Sequence, residues 1–384
     1  MKQVTCPRFA NMSVSFTFQT VGKILFGVDT LNGLAGEVRR LGRRALLIAG
    51  RHAIGPGGPI ETVRAQCREA GVDSVRFEPP PAGEPDLELV DRVRAFRAEA
   101  KCDVLVGLGG GSVIDAAKAA AGLANEAASV REYFDGRPVE TRGVPWIAVP
   151  TTAGAGAEVT KNAVLSDPSR RMKTSLRDEK FYADAVIVDP RLTLSCPPAT
   201  TAESGMDALV QAVESYTSLG ANPMTDGLAF EAARLILAGL PAAWRNGADL
   251  EARSDVALGA LLAGVALANA RLGAVHGLAH PLGIRWDLPH GRVCATLLAP
   301  VMRFNESVVG DKYQRLGAVV GRPIIEHVEQ LAADLGIPAD FRSCRITDEE
   351  LQWVIENSLP AGSMKMNPRP VTADDLREIL APLV

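Results

Sequence analysis

Apolar and polar residues alternate along 13–20, Val21-Gly22 offers a turn, and residues 23–26 resume the pattern, which predicts a β-hairpin. Four later runs, 45–49, 103–108, 146–149 and 185–188, are almost continuously apolar. That is the signature of strands buried on both faces of a parallel sheet. Helical patterns at 59–70, 87–100 and 112–125 lie between them. Strand and helix therefore alternate, which predicts a doubly wound, Rossmann-like α/β domain over residues 1–198. Beyond it no strand pattern recurs. The stretches 208–218, 226–240 and 253–272 carry helical periodicity, so residues 199–384 are expected to form an all-α domain. Pro197-Pro198 marks the joint, because proline disfavours helix at itself and just before it. The segments 55–59 and 79–85, rich in Pro and Gly, are expected to be loops.

Composition narrows the class. A chain of 384 residues exceeds what one hydrophobic core usually organises, which agrees with two domains. A net charge of −4 provides no electrostatic footprint for nucleic acid or an anionic membrane, so neither is expected as a partner. No run of about 18 apolar residues is present to span a bilayer. Residues 1–11 are polar and lack the apolar stretch of a secretory signal. The six cysteines form no CxxC pair, which argues against a disulfide framework or a thiolate metal site and fits a reducing cytoplasm.

Two loops carry candidate ligand chemistry. Val104-Leu105-Val106-Gly107-Leu108 runs into Gly109, Gly110 and Gly111, and a helical pattern follows with Ser112 as a competent N-cap. Glycines allow a ligand close to the backbone, and the free amides of a helix start attract phosphate oxygens. The spacing is not GxGxxG, and a tight turn without ligand is the alternative. After the next strand, Pro150, Thr151, Thr152 and the small residues to Thr160 form a second polar turn. Two such turns at adjacent strand ends suit a dinucleotide crevice.

The five histidines are unevenly spread: His276, His280 and His290 fall close together. His276 and His280, four apart, share one face of a helix, and His290 between Pro289 and Gly291 is expected on a turn. Neutral imidazoles bind divalent metals, and Asp207 in an otherwise apolar helical stretch is the candidate oxygen donor. A metal site and a proton relay both fit this cluster. A metal there would polarise an alcohol oxygen, and a free histidine would carry the proton.

These motifs resemble the iron-containing (group III) alcohol dehydrogenases of the dehydroquinate synthase-like superfamily. The resemblance rests on Gly109 to Lys118 (GGGSVIDAAK), Pro150 to Thr160 (PTTAGAGAEVT), Asp189 to Thr193, Gly205 to Leu209 and His276 to Gly291, and it spans nearly the whole chain. It implies a dinucleotide-binding N-terminal domain, a metal-binding helical domain and a catalytic cleft between them. By the same resemblance, Gly110, Gly111, Ser112, Asp115, Thr151, Thr152 and Lys173 match cofactor positions. Asp207, His276 and His290 match metal ligands, and His280 matches the proton-transferring histidine. The implied reaction is hydride transfer between NAD(P)(H) and a small alcohol or aldehyde, in a homodimer.

Two departures qualify the match. The family's usual fourth ligand, a histidine four residues after the aspartate, is here Gln211, either a weak ligand or a hydrogen-bonding neighbour. The three-residue set resembles the zinc site of glycerol dehydrogenases, so Fe²⁺ and Zn²⁺ both remain open. Secondly, many NAD-preferring members carry an aspartate after the strand at 45–49, whereas this chain has Gly50, Arg51 and His52. An arginine there suits a 2′-phosphate and favours NADP over NAD. The alternatives are a metal-independent reductase resembling maleylacetate reductases, a dehydroquinate synthase-like lyase, or a metal-free binding protein. The lyase would need several cations around its substrate, and the stretch 269–290 offers Arg271 and Arg285. Leu278, Trp286, Met364 and Met366 are candidate pocket residues.

Overall fold

A computed structural model describes residues 15–55, 57–78, 85–170 and 172–384. The first half contains β1 (Ile24–Phe26), α1 (Leu34–Leu41), β2 (Arg44–Ala49), α2 (Arg51–Ile54), α3 (Ile60–Glu69), β3 (Asp73–Phe77), α4 (Leu87–Glu99), β4 (Val104–Gly109), α5 (Gly111–Gly122) and α6 (Val130–Phe134). It continues through β5 (Trp146–Pro150), β6 (Asn162–Asp167), β7 (Met172–Arg177) and β8 (Ala185–Val188). Six strands form one parallel sheet in the order β1-β8-β5-β4-β2-β3.

The four apolar runs are strands of this sheet, and their alternation sends side chains to two buried faces. Leu46, Ile48 and Leu105 pack with Val90, Val93 and Ile114 of α4 and α5. Leu47, Val104 and Val106 pack with Leu34, Val38 and Val63 of α1 and α3 on the other side. Strand order reverses at β2, which neighbours both β3 and β4, so a crevice opens at the carboxyl ends of β2 and β4.

The predicted hairpin does not form. Residues 13 and 14 lie outside the described residues, and 15–20 are not a strand. The backbone of Gln19 is instead held by the Asn269 side chain, at 2.7 and 2.9 Å. Gly22 donates to Ala183, and a Cβ on it would stand 2.9 Å from the Asp184 carbonyl oxygen. The chain therefore passes straight into β1, which pairs parallel with β8. An alternating pattern specifies an extended two-faced segment; it does not name the partner. The pattern also gave no sign of β3, a half-buried strand, or of the antiparallel hairpin β6–β7.

The second half is helical: α7 (Pro198–Thr217), α8 (Pro223–Arg245), α9 (Leu250–Ala270), α10 (Ala274–Trp286), α11 (His290–Val320), α12 (Ile324–Asp334), α13 (Asp348–Ser358) and α14 (Ala373–Leu380). Pro198 opens α7 rather than delaying it, because the first helical position needs no N–H. By length and composition α8 resembles a membrane span, as would α9 and α10 taken as one bent pair; half of the α8 stretch is buried. Its Ala229, Ala232 and Ile236 pack in one core with α7 and α10. Between α9 and α10 the axis bends by 103°, with Arg271 in the left-handed region at φ 66°. That bend sets the start of α10 against α7.

Candidate active site

A cleft of about 560 Å³ lies between the sheet's carboxyl end and the helical half. A second groove, about 650 Å³, is lined around Ala299, Phe304 and Val328 and has no histidine or cysteine in its wall.

The sheet side of the cleft is built from the two predicted turns and the unforeseen hairpin. Gly110, Gly111, Ser112, Asp115, Thr152 and Lys173 line it. The glycines divide by task. A Cβ on Gly109 would meet Val113 at 2.7 Å, so that glycine lets α5 close on β4. Added at Gly110 or Gly111, a Cβ meets nothing nearer than 3.6 and 3.4 Å, and these two leave the mouth of the helix open. Ser112 is not the N-cap; Gly110 is, and Ser112 sits in the first turn of α5. Lys173 arrives on β7, in a hairpin whose edge-like alternation over 162–167 was the available signal.

Asp115 lines the cleft but is largely buried. Its Oδ2 accepts from the Val164 amide at 3.1 Å, and its Oδ1 lies 3.2 Å from the fully buried Lys118 Nζ. Burial pushes the Lys118 ammonium down and the neighbouring Glu158 carboxyl up to about 7. Gly50, Arg51 and Thr151 are not among the residues that line the cleft. Gly50 donates to the Leu108 carbonyl, tying β2 to β4, and Arg51 begins α2 with an exposed side chain. Thr151 donates to Gly109 and accepts from Cys196 Sγ at 3.3 Å.

The helical side carries the histidines. His276 and His280 stand one turn apart on α10 and both line the cleft. His290 is the first residue of α11 rather than part of a turn. It approaches α7 closely because Gly291 follows it: a Cβ there would lie 2.2 Å from the Glu203 carbonyl oxygen. The His280 and His290 rings stack with centroids 5.3 Å apart.

Asp207 on α7 faces the imidazoles of His276 and His290. Its Oδ1 is 3.5 Å from His276 Nε2 and 3.8 Å from His290 Nε2. That oxygen is buried and has no hydrogen-bond partner among the described residues. Oδ2 accepts from Gln211 Nε2 at 3.0 Å, so Gln211 meets the carboxylate as a hydrogen-bonding neighbour, while its own Oε1 is left without a partner. An orphaned buried carboxylate oxygen facing two imidazole nitrogens fits a divalent cation.

Two members of this cluster were missed. Gln211 and Glu214 share a face of α7 with Asp207, four and seven residues along. Glu214 Oε2 stands 2.6 Å from His276 Nδ1, and its Oε1 accepts the Val275 amide at 2.7 Å. One carboxylate thus caps α10 and holds His276 with Nε2 turned to Asp207. The spacing 207, 211, 214 was a polar stripe visible in the sequence. Cys294 joins the cluster although the cysteine spacing pointed to no thiolate site: Asp207, His276, His290 and Cys294 bring one ligand atom each within 4.8 Å of one another.

Electrostatics separates the histidines. Burial depresses all three. For His276 the neighbouring Cys294, Asp207 and Glu214 outweigh burial, and its pKa is raised well above the usual value. For His290, Cys294 and Asp207 likewise raise it. His280 has no such anion; burial and then the charges of His290, His276, Lys173 and Arg177 hold it well below the usual value.

Residues 22–190 match the family model described as iron-containing alcohol dehydrogenase, and 201–384 match that of the Fe-containing alcohol dehydrogenase family, C-terminal. The chain belongs to the iron-containing alcohol dehydrogenase family. It is 36% identical over 382 residues to long-chain-alcohol dehydrogenase 1 of Geobacillus thermodenitrificans, covering 94% of this chain and 96% of that relative. The crystal structure of a 1,3-propanediol oxidoreductase superposes with a TM-score of 0.90 at 32% identity, over 97% of this chain and all of that one. A sulfoacetaldehyde reductase from Bifidobacterium kashiwanohense, solved in complex with NAD⁺, superposes at 0.88 with 26% identity, over 96% of this chain and 99% of that one. Within the family's two-part architecture, Leu278, Trp286, Met364 and Met366 are not cleft residues here. Leu278 is wholly buried in the helical core, Met364 packs under α10 near Gly277, and the apolar residues lining the cleft include Val164, Leu267, Leu272 and Pro289.

Proposed function

We propose that this chain is a metal-dependent NAD(P)(H)-linked alcohol dehydrogenase or aldehyde reductase acting on small alcohols and aldehydes. The observation that carries this is the unpartnered, buried Asp207 Oδ1 facing His276 and His290 in a cleft whose opposite wall is the start of α5. Residues 1–198 form the cofactor domain and 199–384 the catalytic one, the cleft drawing its lining from both.

Asp207, His276 and His290 would hold one divalent ion, Fe²⁺ or Zn²⁺, with Gln211 fixing the carboxylate. When bound, that ion supplies a Lewis acid that lowers the pKa of a substrate alcohol. Hydride chemistry would come from a nicotinamide dinucleotide held at the sheet side of the cleft. Gly110, Gly111 and Ser112 present the amide-rich start of α5 to the cofactor's pyrophosphate, beside Asp115, Thr151, Thr152 and Lys173. His280, kept neutral by its surroundings, takes the substrate hydroxyl proton at an imidazole nitrogen during oxidation and returns it during reduction.

Gly50 and Arg51 stand at the end of β2, beside the point where strand order reverses, with an exposed guanidinium and no acid at those two positions. This supports NADP(H) over NAD(H). The test is initial-rate oxidation of NADPH and NADH with a panel of small aldehydes, on chelator-stripped protein with and without Fe²⁺ or Zn²⁺. Turnover that requires metal and favours NADPH is expected. Arg51→Ala should cut kcat/KM for NADPH by about ten- to a hundredfold, the worth of one or two charge-assisted hydrogen bonds, and spare NADH. Undiminished turnover in stripped protein would move the chain toward the metal-independent reductases.

Two copies are expected to associate along the β1 edge, where Phe16, Ile24 and Val28 are exposed apolar side chains. Sedimentation of the full chain checks this; a monomer at micromolar concentration would refute it.

A further inference from the structure

The residue four after Asp207 is an amide that bonds to the carboxylate, which leaves the ion with three protein ligands. We infer that Cys294 supplies the fourth, as a thiolate, and that the resident metal is zinc. The inference rests on the metal reading of Asp207, His276 and His290.

Geometry carries it. Cys294 lies one turn beyond His290 on α11, with Sγ 3.6 Å from His290 Nε2. Around a tetrahedral zinc, with bonds of about 2.0–2.2 Å to nitrogen and oxygen and about 2.3 Å to sulfur, ligand atoms stand roughly 3.3–3.6 Å apart. The measured separations are 3.5 Å from His276 to Asp207, 3.8 Å from His290 to Asp207, and 3.6 Å from Cys294 to His290. Three of the six separations among these donors from α7, α10 and α11 are thus near the edge lengths of a coordination tetrahedron, all four atoms lie within 4.8 Å of one another, and one of them, Asp207 Oδ1, has no hydrogen-bond partner among the described residues.

The direction of approach matters as much as the distance. Asp207, His276 and His290 line the cleft, whereas Cys294 is wholly buried and stands outside its wall. Sulfur would therefore close the ion from the protein interior, and a substrate oxygen entering from the cleft would bind as a fifth ligand, an expansion that zinc tolerates. A soft thiolate also shifts the donor set toward zinc and away from ferrous iron.

The test uses cobalt as a spectroscopic stand-in for zinc in the metal-stripped full chain. We expect one equivalent of Co²⁺ to bind and to show a near-ultraviolet sulfur-to-cobalt charge-transfer band. In Cys294→Ser that band should vanish while the visible cobalt bands persist. Competition with a chromophoric chelator should show zinc affinity falling at least about a hundredfold in the variant, the upper end of what loss of even an outer partner costs. Bound cobalt without the charge-transfer band, seen in the wild-type protein and so independent of how any variant folds, overturns the Cys294 assignment and leaves the three-residue site standing. Unchanged zinc affinity in Cys294→Ser does the same. Failure of the wild-type protein to take up cobalt overturns the metal reading itself and this inference with it.

Discussion

Asp207→Ala is expected to abolish metal retention and to lower kcat for aldehyde reduction by at least about a thousandfold, roughly 4 kcal/mol of barrier. Asp207 is the carboxylate of the four-residue cluster, and its two oxygens do different work. Oδ1 faces two imidazoles without a hydrogen bond, and Oδ2 is fixed by Gln211. Removing the side chain takes away the anionic donor and the reason for Gln211's position together. The loss falls on activity more than on folding, because a small cavity in a wall that already borders a cleft can be filled by water. Asp207→Asn separates the two roles. It keeps the shape and an acceptor for Gln211 but not the charge, so folding should be near wild type while metal content falls. Metal analysis of purified protein beside kcat decides the matter. If Asp207→Ala keeps more than about a tenth of wild-type kcat, the Lewis-acid reading is wrong.

Glu214→Ala is expected to damage both stability and metal binding. The carboxylate is buried, and both oxygens are used: one accepts the Val275 amide at the start of α10, the other holds His276 Nδ1. Truncation leaves a buried backbone donor and an imidazole N–H unpaired, a cost of about 2–4 kcal/mol in stability. Release of the ring should weaken metal affinity by about ten- to a hundredfold. Glu214→Gln gives a sharper result. An amide has one acceptor where the carboxylate has two. If its oxygen keeps Val275, its NH₂ must donate to His276 Nδ1, which forces the proton onto Nε2 and blocks that nitrogen as a ligand. Most of the stability should therefore return while metal affinity stays low. Thermal unfolding of the stripped protein and a zinc titration measure the two effects separately. Parallel recovery of both would mean that Glu214 acts only as a helix cap.

Much of this protein is legible along the chain because its information is local. Continuous apolar runs named β2, β4, β5 and β8, since a strand buried on both faces has no polar side to show. The four-residue spacing of His276 and His280 placed both on one face of α10, and the glycine turn was where β4 meets α5. What failed was whatever depends on a distant partner. The segment before β1 has the alternation of a hairpin strand, yet it is tied to Asn269, and β1 pairs with a strand more than a hundred residues away. Half-buried β3, β6 and β7 are as long as the strands that stood out but too polar to form an apolar run.

The same division runs through the site. Asp207 and the three histidines could be singled out by residue type and spacing, but Glu214 and Cys294 could not be given a task that way. Glu214 acquires one only when the bend after α9 brings the start of α10 onto α7, and Cys294 only when Gly291 lets α11 settle against Glu203. Periodicity reports which face a residue occupies within its own element. Convergence of side chains from three helices is decided by how those helices pack, and that is a property of the folded chain alone.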